Sequence, residues 1–170
     1  DACYDNIKYT GWHTGYPDAK ASIDLQTLRT VPWDNNMPFF LADFSEDAAK
    51  DICPRSLLKH LESDAHSLGF TPKLAQEFEW FNFEKPLEKT QQPETISKGM
   101  FGYSLLRPSE QSDYFNAIFD LMNEYDVPLE GLHTETGPGV YEAAIIYDTA
   151  LRAADKAILF KAGIKEIASK

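Results

Sequence analysis

Cysteines, basic runs and long apolar stretches are all scarce in this chain. The two cysteines, Cys3 and Cys53, are too few for the disulfide framework of a small secreted domain, and their spacing fits no zinc site. No apolar run approaches the roughly 20 residues that a membrane-spanning helix needs. We therefore expect free thiols, a reducing and cytoplasmic location, and no membrane partner.

The charge balance is strongly acidic. Lys and Arg number 16 against 27 Asp and Glu, which gives a formal net charge of -11 at pH 7. Such a field repels the phosphates of nucleic acids and anionic lipids, so neither is expected as a partner. An acidic balance is typical of a solvated surface and is also compatible with cation binding.

Strand-like and helix-like segments alternate along the 170 residues, of which 43% are hydrophobic. A long aromatic loop up to about Lys20 is expected to be functional, because long loops without secondary structure of their own usually are. The predicted elements after it are a strand over 38–44 that follows an Asn-Asn turn, a helix over 54–68, a strand within 73–83, a helix over 110–125 with Ser109 as N-cap, a hairpin over 133–145 and a helix over 149–169 with Asp148 as N-cap. Strands and helices in this order, with a hairpin among them, predict an α+β fold.

Two strand segments each contain a pair of glutamates. In "EFEWF" the period of two places Glu77 and Glu79 on one face, about 6.5 to 7 Å apart along the backbone. In "HTETGPGVYEAAI" a four-residue connection over 137–140 would place Glu135 directly across from Glu142, although an offset register on the same face is also possible. Like charges that face each other across a strand pair destabilise it, so this placement needs an explanation.

The glutamate pairs have two interpretations. Acidic pairs on strands most often face water on the polar side of an antiparallel sheet. Here both segments are flanked by large apolar residues, and the pairing occurs twice. Divalent cations such as Mg²⁺ take several carboxylate oxygens, and four glutamates could hold two such ions while offsetting their mutual repulsion.

Three segments in collinear order, "YDNIKYTGWHTGYPDA", "EFEWFNF" and "EGLHTETGPGVYEAAI", together resemble the glutamine synthetase family, particularly its divergent glutamine synthetase-like branch. The resemblance implies that residues 1–45 form the C-terminal part of a β-grasp N-terminal domain with an active-site loop. Residues 46–170 would form the N-terminal part of the catalytic domain. Family members are much longer, so the resemblance implies a fragment that is incomplete for catalysis by itself.

The resemblance also assigns roles to single residues. Glu79, Glu135 and Glu142 match the ligands of a Mg²⁺ or Mn²⁺ ion next to the substrate glutamate, and Glu77 matches a ligand of a second ion on the ATP phosphates. His133 matches a histidine that lines the glutamate and phosphate site.

In the N-terminal loop, Asp5 and Trp12 match catalytic residues that reach into the active site of a neighbouring subunit. The expected assembly is accordingly a ring-like homo-oligomer with active sites between subunits. The implied reaction joins ammonium to the γ-carboxylate of L-glutamate, with ATP as co-substrate and γ-glutamyl phosphate as intermediate.

The family resemblance leaves the acceptor open. After the Gly-Pro-Gly turn this chain has Val140 and Tyr141, where ordinary glutamine synthetases usually carry Gln with an aromatic or polar neighbour. A γ-glutamyl ligase that uses an organic amine is therefore an alternative. A further alternative is a non-catalytic structural member, because the branch includes such proteins.

Overall fold

The computed structural model describes residues 6–46, 49, 52–85 and 92–170. The predicted site residue Asp5, and Cys3, lie outside this described part. The elements are β1 (Ala21–Val31), β2 (Met37–Phe44), α1 (Pro54–Ser67), β3 (Lys73–Leu74), β4 (Glu77–Phe81), α2 (Leu106–Glu110), α3 (Ser112–Glu124), β5 (Leu129–Thr134), β6 (Val140–Ile145), β7 (Asp148–Thr149) and α4 (Ala150–Ala168). The mixture of antiparallel strands and helices confirms the α+β prediction. No helix in the described ranges is long and apolar enough to cross a membrane.

The first two strands form an antiparallel hairpin. Its turn uses Asn35 and Asn36, whose φ angles of 51° and 55° lie in the left-handed region. Asparagine tolerates this region because its short polar side chain bonds locally, and two such residues in succession match the right-handed twist of a hairpin. The Asn-Asn turn predicted from the sequence therefore sets this strand pairing.

The central sheet is three-stranded and antiparallel, in the order β4-β6-β5. One face buries apolar side chains such as Phe78, Tyr141 and Ala143 against α3 and α4. Phe160 of α4 stacks on Phe78, with ring centroids 5.3 Å apart, and meets Trp80 edge-on at 5.6 Å. The opposite face of the sheet is left for the charged residues of β4, β5 and β6.

The two long helices α3 and α4 approach each other closely at Gly163. A Cβ built on Gly163 would lie 2.5 Å from Cε of Met122 and 2.9 Å from Cη2 of Trp33. Trp33 also donates a hydrogen bond from Nε1 to Glu166 at 2.7 Å, which fixes its ring over this contact. Only glycine fits at this point of the core.

Both predicted helix caps are wrong by a short distance. Ser109 lies inside the short helix α2, where its hydroxyl donates to the Leu105 carbonyl at 2.9 Å, and α3 begins only after Gln111. Asp148 precedes the actual N-cap, Thr149, and its carboxylate accepts the Thr149 N–H at 2.8 Å. Asp148 also accepts from Lys156 of α4 at 2.7 Å, so a tertiary ion pair takes the place of the cap.

A largely buried ion network connects the β1–β2 hairpin to the helices. Arg55 of α1 donates to Asp24, Asp43 and Asp155 at distances of 2.7 to 2.9 Å. Lys59 donates to Asp24 at 3.2 Å and to Asp43. The three carboxylates raise the pKa of the Arg55 guanidinium, with Asp155 the largest contributor.

Candidate active site

The four glutamates and His133 share one face of the central sheet. Glu142 lies on the middle strand, directly opposite Glu79 of β4 and His133 of β5. Glu77 lies opposite Ala144, one same-face step further along. The period-two pattern of the sequence therefore predicts this face correctly, and we call these five side chains the glutamate face.

The direct pairing of Glu135 with Glu142 is wrong. Glu135 donates its N–H to the carbonyl of Val140 at 3.0 Å, and Glu142 faces His133 instead. The register differs from the predicted pairing by two residues, so every side chain keeps its face, as the offset alternative allowed. Glu135 and Glu142 are diagonal neighbours, which lessens their repulsion.

Asn82 extends the pairing of β4 with β6 into the Gly-Pro-Gly turn. Its backbone N–H and its side-chain Nδ2 both donate to the carbonyl of Gly139, at 2.9 and 3.0 Å. Its Oδ1 accepts from Trp80 Nε1 at 2.9 Å and from the Tyr114 hydroxyl at 2.8 Å. Gly139 has a φ of 70°, and a Cβ there would lie 2.8 Å from the Asn82 carbonyl oxygen, so the turn needs glycine at this point.

Glu142 is held in an unfavourable electrostatic environment. Its side chain is 16% exposed, and Nε2 of His133 lies 3.7 Å from its Oε2. Burial raises the pKa of Glu142, as do the charges of Glu79, Glu77 and Glu135, while His133 partly offsets them. A bound cation would relieve this repulsion.

Glu135 has an unsatisfied oxygen. Its Oε2 is buried and has no hydrogen-bond partner within the described structure. Gly102 lies directly beside it, since a Cβ added there would be 3.0 Å from Oε2. A buried carboxylate oxygen without a partner costs free energy that a metal ion or a ligand donor would recover.

The donor set suits a hard divalent cation, although the ligands are not yet gathered around one point. Within the described ranges no three His, Cys, Asp or Glu side chains form a group that could hold a metal ion as they stand. The mutual repulsion and the unpartnered Oε2 of Glu135 are both features that an oxygen-binding cation would correct. The residues therefore fit such an ion, provided that it draws the carboxylates together.

A loop residue that the sequence did not single out covers His133. The Tyr103 ring stacks on the imidazole with centroids 4.5 Å apart and an angle of 24° between the planes. Tyr103 is 71% exposed and has a φ of 56°. In the sequence, Tyr103 stands out only as an aromatic residue after Gly102. Aromatic residues in loops follow no periodicity, so the sequence does not predict which side chain they contact.

Trp12 is not brought to the glutamate face of its own chain. The residue is 75% exposed, and its ring contacts that of Tyr16 edge-on with centroids 5.4 Å apart. Its backbone N–H donates to the Asn6 side chain at 2.8 Å. Its role, like that of Asp5, stays a prediction.

A large cavity lies elsewhere, on the apolar side of the sheet. It measures about 1240 Å³ and is lined by aromatic rings that include Phe78, Trp80 and Phe160. Only Glu79 of the glutamate face borders it. Its lining also includes Lys161, Lys165 and Lys170, but it lacks the paired carboxylates, so we locate the candidate active site at the glutamate face.

Solved structures first define the fold class. A structure titled "Apo GmaS without ligand" superposes with a TM-score of 0.77 at 21% identity, covering 92% of this chain and 37% of that one. A "novel glutamine synthase homolog" superposes with a TM-score of 0.75 at 19% identity, covering 96% of this chain and 38% of that one. The architecture is therefore that of glutamine synthetase-type folds.

Sequence comparisons then give the family. The profile described as "Glutamine synthetase, catalytic domain" matches residues 51–170. Type-1 glutamine synthetase 2 of Dictyostelium discoideum is 52% identical over 99% of this chain and 34% of its own length. Glutamate–isopropylamine ligase of a Pseudomonas species is 36% identical over 100% of this chain and 39% of its own length. The chain belongs to the glutamine synthetase family, whose catalytic members are ATP-dependent ligases, and it spans little more than a third of the length of these relatives.

Proposed function

We propose that this chain is part of an ATP-dependent ligase that joins ammonia to the γ-carboxylate of L-glutamate. The γ-carboxylate attacks the γ-phosphorus of ATP, which releases ADP and forms γ-glutamyl phosphate. Ammonia then attacks the acyl carbon, expels inorganic phosphate and leaves glutamine after loss of a proton. The observation that carries the proposal is the glutamate face, a set of repelling carboxylates in which one buried oxygen has no partner.

The metal ligands are assigned as the family resemblance implies, and their shared face supports the assignment. Glu79, Glu135 and Glu142 would hold one Mg²⁺ or Mn²⁺ ion beside the substrate glutamate, and Glu77 would hold a second beside the ATP phosphates. Bound divalent ions neutralise charge at a transferring phosphoryl group and orient the substrate carboxylate. The chain's own contribution is to fix the carboxylates on a rigid sheet, which supplies the positioning on which phosphoryl transfer depends.

His133 is proposed to bind substrate. It is one-third exposed, it lies opposite Glu142, and its ring is held flat by Tyr103. Its Nδ1 lies 3.2 Å from the Thr134 carbonyl oxygen, so Nε2, which lies 3.7 Å from Glu142, is the nitrogen that would donate a hydrogen bond to an anionic oxygen of glutamate or of the phosphoryl group. This placement is the reason to favour a functional histidine over a structural one.

The remaining expectations belong to the whole protein. Asp5 would bind ammonium and take its proton, and Trp12 would line the same site, both from a neighbouring subunit. This implies a ring-like homo-oligomer in the cytoplasm, with residues 1–45 in the β-grasp domain and 46–170 in the catalytic domain. The exposure of Trp12 is compatible with a contact outside its own chain.

A γ-glutamyl ligase that uses an organic amine is the second candidate. Glutamate–isopropylamine ligase matches the whole chain, and gamma-glutamylethanolamide synthetase of Streptomyces coelicolor matches 98% of it at 27% identity. The position after the turn is the apolar Val140, which lies on the strand position beside Glu135. Tyr141 packs in the core with Trp80 and Tyr114, so it does not bear on the choice of amine.

The test is an amine screen with the full-length protein. Phosphate release is followed with ATP, Mg²⁺ and L-glutamate, with ammonium, isopropylamine or ethanolamine as acceptor. Release driven best by ammonium supports the synthetase, and release only with organic amines supports the second candidate. No release with any amine refutes both and favours a non-catalytic member of the family.

A further inference from the structure

A short loop segment, residues 101–104, crosses over the end of β5 beside the glutamate face. We call it the 101–104 strap. It has no periodic pattern and most of its large side chains are exposed, with Phe101 at 49% and Tyr103 at 71%. It nevertheless touches two of the proposed functional residues, because Tyr103 stacks on His133 and Gly102 lies beside Oε2 of Glu135.

Among the described residues, the hydrogen bonds between the strap and the sheet are made with Thr134, which lies between His133 and Glu135 in sequence. The Thr134 hydroxyl donates to the Phe101 carbonyl at 2.8 Å and accepts the N–H of Ser104 at 2.9 Å. The Thr134 backbone carbonyl accepts the N–H of Tyr103 at 2.7 Å. The side chain thus bonds both ends of the strap, and it is 3% exposed, so water does not replace either bond easily.

The conformation of the strap needs this attachment. Tyr103 has a φ of 56°, in the left-handed region that a residue with a Cβ rarely adopts. Such a conformation persists only where surrounding contacts over-determine it. The three bonds to Thr134 fix the backbone on both sides of Tyr103, which holds its ring parallel to the imidazole.

We propose that Thr134 is a positioning residue: through the strap, its hydroxyl fixes the ring of His133 and the carboxylate of Glu135 at once. Tyr103 packs against one face of the His133 ring, whose Nδ1 also lies 3.2 Å from the Thr134 carbonyl oxygen. Gly102 lies close to the Glu135 carboxylate, since a Cβ added to it would lie 3.0 Å from Oε2. The functional importance of this arrangement rests on the proposed function, but the positioning itself does not.

Two readouts test the positioning without any turnover, in the full-length protein. Hydrogen–deuterium exchange with mass spectrometry follows the peptide that contains Ser104. Peptide-resolved carbethoxylation follows His133, with the exposed His60 as internal reference. In Thr134→Val we expect both rates to rise by about fivefold to thirtyfold, the effect of losing the two hydrogen bonds of the hydroxyl, while Thr134→Ser stays close to wild type.

The result that overturns the inference is equally definite. If Thr134→Val leaves the exchange of the strap unchanged, or speeds it without changing carbethoxylation of His133, Thr134 does not position the site. Tyr103→Ala provides a second test that does not endanger the core, because Tyr103 is largely exposed. It should speed modification of His133 whereas Tyr103→Phe should not, and equal rates in the two variants would refute the ring contact.

Activity then connects positioning with function. Thr134→Val should raise the Kd for Mn²⁺ and the KM for glutamate by about tenfold or more, the usual effect of losing a residue that orients ligands, and Thr134→Ser should restore both. If Thr134→Val speeds exchange of the strap but leaves Kd and KM unchanged, the strap only packs against the sheet, and the inference is overturned. If the wild-type protein releases no phosphate with any amine, the proposed function fails, while exchange and carbethoxylation still decide the positioning.

Discussion

Replacing Gly102 by alanine should weaken metal binding without unfolding the protein. The added Cβ would lie 3.0 Å from Oε2 of Glu135, whereas ordinary contacts begin near 3.4 Å. The carboxylate must therefore retreat by about 0.4 Å, which is about twice the tolerance of ±0.2 Å on metal–ligand distances. We expect the Kd for Mn²⁺ to rise by about 10- to 100-fold, as when an orienting contact is lost. Gly102 has no positive φ, so alanine adds no backbone strain.

The assay is a calorimetric Mn²⁺ titration of the full-length protein, and Gly131→Ala is its matched control. Gly131 lies on β5 in the same sheet, and a Cβ there would meet nothing within 4 Å. The control should bind Mn²⁺ like wild type. The reasoning is refuted if Gly102→Ala binds Mn²⁺ normally, or if both variants lose affinity equally.

Three further predictions concern stability. Gly163→Ala should lower the unfolding free energy by about 1–3 kcal/mol through overpacking against Met122 and Trp33, and an unchanged thermal midpoint would contradict this. Arg55→Met should lower the free energy of unfolding, measured in urea, by about 3–5 kcal/mol. The reason is that the Asp155 carboxylate, only 9% exposed, loses the guanidinium that binds both of its oxygens. A decrease of less than about 1 kcal/mol would refute this reasoning. Burial raises the pKa of Asp43, but hydrogen bonds from Lys59 and Arg55 outweigh it, so the folded pKa is lowered. Such a group stabilises the fold above its unfolded pKa and loses that contribution as pH falls below about 4, so Arg55→Met should show a shallower loss of stability in acid than wild type.

The sequence predicts which residues share the glutamate face, because strand periodicity is a local property. Glu77 and Glu79 are two apart on one strand, and Glu142 was expected to face the same side. Alternation of side chains survives any register shift of two residues, so the glutamate face was predictable even though the pairing was not.

The turn also has a tertiary contact. Asn82, which lies far from the hairpin in sequence, donates two hydrogen bonds to the Gly139 carbonyl and so attaches the turn to the end of β4. No pattern within "HTETGPGVYEAAI" contains that information. The wrong N-cap prediction at Asp148 also has a tertiary cause. Its carboxylate pairs with Lys156, and helix-capping preferences, which are local, do not include such an ion pair.

The loop contribution was also beyond the sequence pattern. Tyr103 lies 30 residues before His133, and hydrogen bonds to Thr134 hold the loop where the two rings meet. A resemblance to a family names ligands, but it does not show which neighbours orient them.

The central claim is that the glutamate face holds divalent metal, and Mn²⁺ binding to the full-length protein measures it most directly. Titration followed by electron paramagnetic resonance should show tight binding that Glu135→Gln weakens by at least about tenfold. Glu130→Gln, the same change at an exposed position of the same strand, should leave binding unchanged. Equal Mn²⁺ affinity in wild type and Glu135→Gln would contradict the account.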